Sequence, residues 1–177
     1  HFVMMNLSRP QEDLEPGPGH IMKLRYTPMQ QSVLAVEEDD SPDKAEIDSF
    51  TSLDRMPVIV GQLHSQLAPA TAAVKRLAKP NVRVAYVMTD SAALPIAFSR
   101  LVQQLKEAGL LDITITAGQA FGGDIETVNV HTALIAAKTV AKADVCIVCQ
   151  GPGNVGTGTK YGFSGIEQGE IINAVNT

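Results

Sequence analysis

Residues able to bind or transform a small molecule follow the apolar segments of this chain. His64 and Ser65 come shortly after residues 58–60, and Asp90 comes shortly after residues 82–88. An imidazole titrates near neutral pH, so His64 is the predicted general acid or base. Asp90 is a second candidate because a carboxylate can bind a ligand hydroxyl or a metal. The structural alternatives are a hydrogen-bonded histidine at the first position and a helix cap at the second.

A glycine-rich block follows the apolar residues 145–149. Seven of the 14 glycines of the chain lie within residues 151–169, and glycine lets a backbone adopt left-handed conformations or approach a ligand closely. Residues 151–156 match the pattern Gly-x-Gly-x-x-Gly of a dinucleotide site, but the helix that should open at once begins only near Ser164. A Walker A loop needs Gly-Lys-Ser/Thr, whereas residues 158–160 read Gly-Thr-Lys.

A third interpretation of the block is an anion cradle built from backbone N–H groups and side-chain donors. A helix N-terminus carries about +0.5 charge, which Glu167 in the first turn of the expected last helix would offset. A neutral polar ligand or a metal-bound anion therefore fits the block as well as a bare phosphate. The alternative is a turn that packs over the sheet or contacts another subunit. The predicted ligand-binding residues are Ser65, Gly151, Gly153, Asn154, Gly156, Thr157, Gly158, Thr159, Lys160, Ser164 and Glu167.

The sequence predicts no metal site and leaves the cofactor unknown. Cys146 and Cys149 form a Cys-x-x-Cys, but residues three apart in a strand point to opposite faces of a sheet, so both thiols are expected in the core. Glu126 and His131 lie five apart in an expected helix and therefore on different faces. No spacing typical of zinc and no Gly-x-Ser-x-Gly nucleophile elbow is present.

Alternating strands and helices from residue 56 onward would position these side chains. Four βα units predict an α/β, Rossmann-like, three-layer fold with a parallel sheet of at least four strands. The strands are expected at residues 58–60, 82–88, 113–117 and 145–149. Ligands bind beyond the carboxyl ends of the strands in such a sheet, so the polar residues after each strand should meet at one edge.

Local signals predict where three helices begin. Pro95 suits the first turn of one helix. Asp124 is a good N-cap for another helix that runs to about Lys142. Ser164 and Glu167 have the spacing of a capping box at the start of the last helix.

The chain divides into two predicted parts. Residues 1–50 should form a small β unit, with strands near residues 1–7, 20–26 and 33–36, followed by an acidic linker. Residues 55–177 should form the α/β domain. The chain starts without Met and ends close to a helix, so truncation at the C-terminal edge of the sheet is one interpretation.

Charge and hydropathy argue against two classes of partner. The 177-residue chain has a formal net charge of -5, and the acidic residues of segment 37–48 account for all of it. No basic face of the kind that nucleic acid requires is present. No apolar segment approaches the roughly 18 residues needed to span a membrane, and residues 1–10 do not form a signal peptide. We therefore expect a cytoplasmic protein that binds neither nucleic acid nor membrane.

Three sequence blocks carry a resemblance to a known family. They are GHIMKLRYTP at residues 19–28, GQLHSQL at residues 61–67 and QGPGNVGTGTKYGFSGIEQGE at residues 150–170. Together they resemble an uncharacterised bacterial family, domain-of-unknown-function family 3866, over nearly the whole chain. The resemblance implies a bacterial cytoplasmic protein with relatives that extend beyond both ends of this chain, and it implies no activity.

One leading hypothesis and two alternatives follow from the sequence. The leading hypothesis is that the protein binds a small polar or phosphorylated metabolite, such as a nucleotide or sugar phosphate, and uses His64 if it is an enzyme. The first alternative is a non-catalytic oligomeric or regulatory module with the glycine-rich loop as subunit contact. The second is a nucleotide-binding sensor that shares the site but needs no acid or base. A homo-oligomer is expected.

Overall fold

A computed structural model describes residues 18–27 and 29–177. These residues form a five-stranded parallel sheet and a separate two-stranded antiparallel sheet near the N-terminal side of the described chain. The predicted α/β fold with a parallel sheet and a small β unit is confirmed. The expected strand at residues 1–7 lies outside the described residues.

Twelve strands and α-helices make up the described chain. In order they are β1 (Ile21–Lys23), β2 (Gln31–Val33), α1 (Lys44–Asp48), β3 (Val58–Val60), α2 (Leu67–Leu77), β4 (Val84–Thr89), α3 (Arg100–Glu107), β5 (Ile113–Thr116), β6 (Ile125–Glu126), α4 (Val130–Thr139), β7 (Val145–Gln150) and α5 (Gln168–Val175). Short 3₁₀ turns at His64–Gln66, Ile96–Phe98 and Ser164–Glu167 precede α2, α3 and α5.

The main sheet has the strand order β3-β7-β4-β5-β6. All of its pairs are parallel, so the carboxyl ends of the strands share one edge. β7 lies between β3 and β4, where Val58 is opposite Cys146 and Thr89 is opposite Gln150. The four predicted strands correspond to β3, β4, β5 and β7. β6 was not predicted.

The sheet separates two apolar clusters. Alternate residues of β4 and β7 point to opposite faces. Val87 and Cys146 face α4 and α5, whereas Tyr86 and Cys149 face α2 and α3. Both cysteines are fully buried, and burial raises the pKa of each thiol to about 12. The prediction of core cysteines on opposite faces is therefore confirmed.

The small β unit is joined to the main sheet by Lys23 of β1. This side chain is fully buried, and its Nζ donates hydrogen bonds to the carbonyl oxygens of Ala120 (2.9 Å) and Thr127 (2.7 Å). Its Nζ also lies 3.5 Å from the Glu126 carboxylate. Burial lowers the pKa of Lys23, and the charge of Glu126 opposes this effect. Lys23 thus satisfies the backbone on both sides of β6.

All three predicted helix starts differ from the structure, and at Asp124 competing hydrogen bonds explain why. Asp124 accepts bonds from the backbone N–H and hydroxyl of Thr114, both 2.8 Å long, so it binds the edge of β5 and does not cap a helix. Asn129 is the true N-cap of α4. Glu126 consequently lies in β6 and not in a helix with His131.

The other two differences concern α3 and α5. Pro95 precedes a 3₁₀ turn, and α3 begins only after Ser99, whose Oγ accepts the N–H of Val102. The expected capping box at Ser164 and Glu167 is absent because Glu167 binds side chains of the segment after β4. Among the described residues, no helix is long and apolar enough to cross a membrane.

Candidate functional site

The polar segments that follow the strands do gather at the carboxyl edge of the sheet. A cleft of about 250 Å³ opens there beyond β4 and β5, bounded by the start of α4 and by the turn that leads into α5. Its polar lining consists of Thr89, Asp90, Asn129, Glu167 and Glu170. Two of the predicted site residues, Asp90 and Glu167, therefore line one cavity.

Glu167 anchors the turn before α5 to the end of β4. Its Oε1 accepts the hydroxyl hydrogen of Thr89 (2.6 Å), and its Oε2 accepts that of Ser91. Both hydroxyl donors come from the chain segment that ends β4, so the carboxylate is held in place at the wall of the cleft. The sequence predicted Glu167 both as part of a capping box and as a ligand-binding residue, and in the structure its side chain lines the cleft and forms no capping box.

Asp90 is fixed by the loop that follows β5. Its Oδ2 accepts the backbone N–H of Gln119 at 2.8 Å. Gly118 permits this approach because it has no side chain: a Cβ at this position would lie 2.1 Å from Asp90 Oδ2. The φ of Gly118 is also +65°. A left-handed φ combined with so close a contact requires glycine. The carboxylate itself is exposed at the cleft.

His64 lies on the other face of the sheet from this cleft. Its Nδ1 is 3.2 Å from the carbonyl oxygen of Gln150 and 3.2 Å from the Tyr86 hydroxyl, and its Nε2 is 2.6 Å from Ser99 Oγ. A carbonyl only accepts, so Nδ1 carries the proton and Nε2 accepts from Ser99. Both ring nitrogens thus have protein partners. The catalytic role of His64 stays a prediction that requires a substrate to displace Ser99.

Burial and these contacts affect the protonation of His64. Burial lowers its pKa, and the Gln150 carbonyl partly opposes this effect. In the unfolded chain a histidine has a pKa of about 6.5. Between the lowered folded value and 6.5, the unfolded state binds more protons, so stability must rise with pH in this window.

The free energy of unfolding is therefore expected to fall as the pH drops below about 6.5, and His64→Gln should reduce this dependence. Urea unfolding of both proteins at pH 7.5 and 5.5 measures the effect. The pH-dependent loss should be larger in the wild type than in the variant. If the free energy of unfolding fell equally in both proteins, His64 would be protonated as readily in the folded state as in the unfolded state.

The glycine-rich loop forms an exposed hairpin above the sheet edge. Thr157 N–H donates to the carbonyl of Gly162 (2.7 Å), and Ser164 N–H donates to that of Val155 (2.8 Å). The hydroxyls of Thr157 and Thr159 bond to each other at 2.8 Å.

The other predicted donors of the loop also have partners. Lys160 Nζ lies 5.0 Å from the centre of the Tyr161 ring, and Ser164 donates to the side chain of Asn154. Ligand binding by the loop stays a prediction, and binding through these side-chain donors would require their internal contacts to change. Ser65 is exposed beside His64.

Among residues 18–27 and 29–177, no group of three or more His, Cys, Asp or Glu side chains is arranged to hold a metal ion. Asp90, Glu167 and Glu170 share a cleft without forming such a group.

Comparison with known proteins places the chain in a family. A family model described as "Protein of unknown function (DUF3866)" matches residues 1–177. The chain belongs to the DUF3866 family. The resemblance predicted from three sequence blocks is thus confirmed. No curated protein and no solved structure matches this DUF3866 chain.

Sequence reasoning missed several residues that hold His64 and the start of the glycine-rich loop in this DUF3866 chain. Ser99 and Tyr86 hold His64, although one lies at a helix start and the other inside a strand. Gln150 is fully buried at the end of β7 and donates to the Gln62 carbonyl (3.1 Å) and to Asn154 Oδ1 (2.9 Å). A glutamine at the end of an otherwise apolar strand was the one available signal.

Proposed function

We propose that this protein binds a small polar metabolite in the cleft beyond β4 and β5. The observation that carries the proposal is the meeting of Asp90 and Glu167 in a cavity of about 250 Å³ at the carboxyl edge of a parallel sheet. Ligands of open α/β sheets bind outside this edge. Typical pockets for small molecules measure about 300–1,000 Å³, so the cavity suits a ligand the size of an amino acid or a monosaccharide.

The fixed geometry of the cleft supports binding. Thr89 and Ser91 orient Glu167, while the Gln119 N–H orients Asp90. Side chains already held by the protein lose little conformational entropy when a ligand binds. Carboxylate oxygens in such positions are suited to accepting hydrogen bonds from ligand hydroxyl or amino groups.

A thermal-shift screen with amino acids, monosaccharides and nucleosides, each beside a phosphorylated counterpart, tests the proposal. A ligand present at 100 times its Kd adds about 2.7 kcal/mol to stability, so a true ligand should raise Tm clearly. Asp90→Asn should raise the apparent Kd of this ligand, obtained from the Tm shifts, at least tenfold. Asp40→Asn is the matched control because Asp40 is exposed and does not line the cleft.

Two outcomes would refute the proposal. One is the absence of a Tm response to any compound of the screen. The other is a response that Asp90→Asn and Asp40→Asn change equally, because the binding site would then lie elsewhere.

A second candidate function is assembly through the glycine-rich loop. The side chains of Val155 and Tyr161 at this loop are each 67% exposed, and exposed apolar residues at a loop tip are suited to contacting another subunit. Sedimentation equilibrium distinguishes this candidate. If the protein is a monomer at micromolar concentration, the assembly function is refuted.

A further inference from the structure

We infer that Ser99 is a nucleophile with His64 as its general base, and that the pair hydrolyses carboxylic esters with good leaving groups, such as thioesters and aryl esters. This site is separate from the cleft proposed to bind a metabolite, because His64 contacts Tyr86 on the other face of the sheet. The inference goes beyond the proposed function and does not depend on it. It rests on the contacts of the His64 ring and on the position of Ser99 directly before α3.

The His64 ring has the tautomer and the orientation that a general base for Ser99 requires. Its Nε2 lies 2.6 Å from Ser99 Oγ. Its Nδ1 carries the proton because the carbonyl oxygen of Gln150, at 3.2 Å, can only accept. A nucleophile within hydrogen-bond reach of a base that a third group orients is the arrangement used in nucleophilic catalysis. Direct acid–base chemistry on a substrate requires Ser99 to be displaced, whereas activation of Ser99 uses the existing hydrogen bond.

Tyr86 holds the same ring from inside the sheet. Its hydroxyl oxygen lies 3.2 Å from His64 Nδ1 and 3.2 Å from the carbonyl oxygen of Gln150. Tyr86 is fully buried, and burial raises the pKa of its hydroxyl, which therefore stays protonated and donates to the carbonyl. Burial also lowers the pKa of His64. The ring is therefore neutral near pH 7, and its Nε2 is able to take a proton.

Ser99 keeps a lone pair available for attack on a substrate. Its Oγ accepts the N–H of Val102 at 3.1 Å, and a hydroxyl oxygen has two lone pairs. No other described residue donates to this oxygen. Ser99 is 5% exposed, and its neighbours Phe98 and Arg100 are exposed. The hydroxyl therefore lies at the edge of the protein and not in the centre of the core.

Two backbone N–H groups next to Ser99 are suited to stabilising the negative charge that develops on the ester oxygen. The first N–H groups of a helix have no partner within that helix, and no described residue accepts those of Arg100 and Leu101. The residue after the nucleophile supplies such a donor in α/β-hydrolases. The start of a helix also provides about +0.5 charge. Ser99 thus has a base on one side and N–H donors on the other.

The reaction consumes only the ester and water. Ser99 Oγ attacks the carbonyl carbon of the ester while its proton moves to His64 Nε2. The bond from this carbon to the leaving oxygen or sulfur breaks, and Nε2 returns the proton to the leaving atom. A water molecule then gives a proton to Nε2 and attacks the acyl group on Ser99. The bond to Oγ breaks, Nε2 protonates Oγ, and a carboxylic acid is released.

The contacts of His64 restrict the reaction to good leaving groups. Its ring partners in the described structure are two hydroxyl groups and a carbonyl oxygen, and none is a carboxylate. A carbonyl dipole stabilises the imidazolium that forms less than a full negative charge would. Thioesters and aryl esters, whose leaving groups need little protonation, are therefore the expected substrates, and peptide amides are not.

Labelling of the whole chain with a fluorophosphonate tests the inference. The reagent modifies a nucleophilic serine when Oγ displaces fluoride from phosphorus. Mass spectrometry should locate the adduct at Ser99 in the folded protein and find none there after unfolding in urea. His64→Gln should slow both the labelling and the hydrolysis of p-nitrophenyl acetate at least about 100-fold, because a general base contributes about 10²–10⁴-fold.

Two serine variants complete the experiment. Ser99→Ala should abolish the adduct and the ester hydrolysis, and circular dichroism checks its folding because the substitution also removes the N-cap of α3. Ser49→Ala is the matched control, since Ser49 is exposed at the end of α1 on a different part of the chain. It should react like the wild type.

The wild-type adduct identifies the nucleophile even if Ser99→Ala does not fold. The inference is wrong if the folded protein carries no adduct at Ser99, or if His64→Gln reacts as fast as the wild type. Either result leaves the proposed binding of a metabolite in the cleft unaffected. Conversely, an adduct at Ser99 in a protein that binds no compound of the thermal-shift screen would support this inference alone.

Discussion

Replacing Lys23 with methionine is expected to lower the free energy of unfolding by about 3 kcal/mol. The substitution keeps the apolar bulk of the side chain and removes its ammonium group. The carbonyls of Ala120 and Thr127 would lose their buried donor, and Glu126 would lose its nearby cation. Urea unfolding, followed by circular dichroism, measures the change in free energy.

The same substitution at Lys79 is the control for this experiment. Lys79 forms a 2.6 Å ion pair with Asp144, but its side chain is 65% exposed. Exposed pairs of this kind contribute about 0–1 kcal/mol. If Lys23→Met and Lys79→Met had the same small effect, the buried ammonium would not be needed to join the small β unit to the main sheet.

Replacing Gly165 with alanine is expected to lower the free energy of unfolding by about 1–3 kcal/mol and to weaken ligand binding in the cleft. A Cβ at this position would lie 2.6 Å from Gln62 Cγ and 2.7 Å from the Gln62 carbonyl oxygen. The backbone atom cannot rotate away, so the turn must move. Glu167 lies in the same turn and would move with it.

Gly169→Ala is expected to have the opposite sign. Gly169 is exposed in α5, and a Cβ there would meet no atom within 4 Å. Alanine in a helix is favoured over glycine by about 0.5–1 kcal/mol. Thermal unfolding and titration of both variants test the pair. If Gly165→Ala were as stable and as active in binding as Gly169→Ala, the turn would not position the site.

The strands with the clearest apolar patterns could be predicted from the sequence. β3 coincides with its predicted range, and β7 differs from its range only by the inclusion of Gln150. The opposite orientation of Cys146 and Cys149 also followed from strand geometry alone. These features depend on local periodicity, which a single sequence contains.

The elements that were missed depend on contacts between distant residues. β6 has only two residues, Ile125 and Glu126, and exists because they pair with the end of β5. Asp124 has the local features of a helix cap, yet Thr114 offers it two donors from a neighbouring strand. Propensity rules describe neighbours in sequence and cannot include such competition.

The candidate site was predicted at the carboxyl edge of the sheet, and its role in binding stays a prediction. The rule for parallel sheets placed the polar junctions together, and Asp90 and Glu167 do share a cleft. His64 lies across the sheet because its ring turns towards Tyr86 and Ser99. The direction of a side chain after a strand depends on these partners, and the sequence does not specify it.

The central position of β7 has a consequence for how the chain folds. β3 pairs only with β7 within the main sheet. Its first residue, Val58, can form its strand contacts only after Cys146, which is far along the chain, has reached the same place. Contacts between residues so far apart in the chain slow folding because a long loop must close first. We therefore expect β3 to join the sheet only after β7 has paired with β4, so that the sheet edge beneath the glycine-rich loop is completed late in folding.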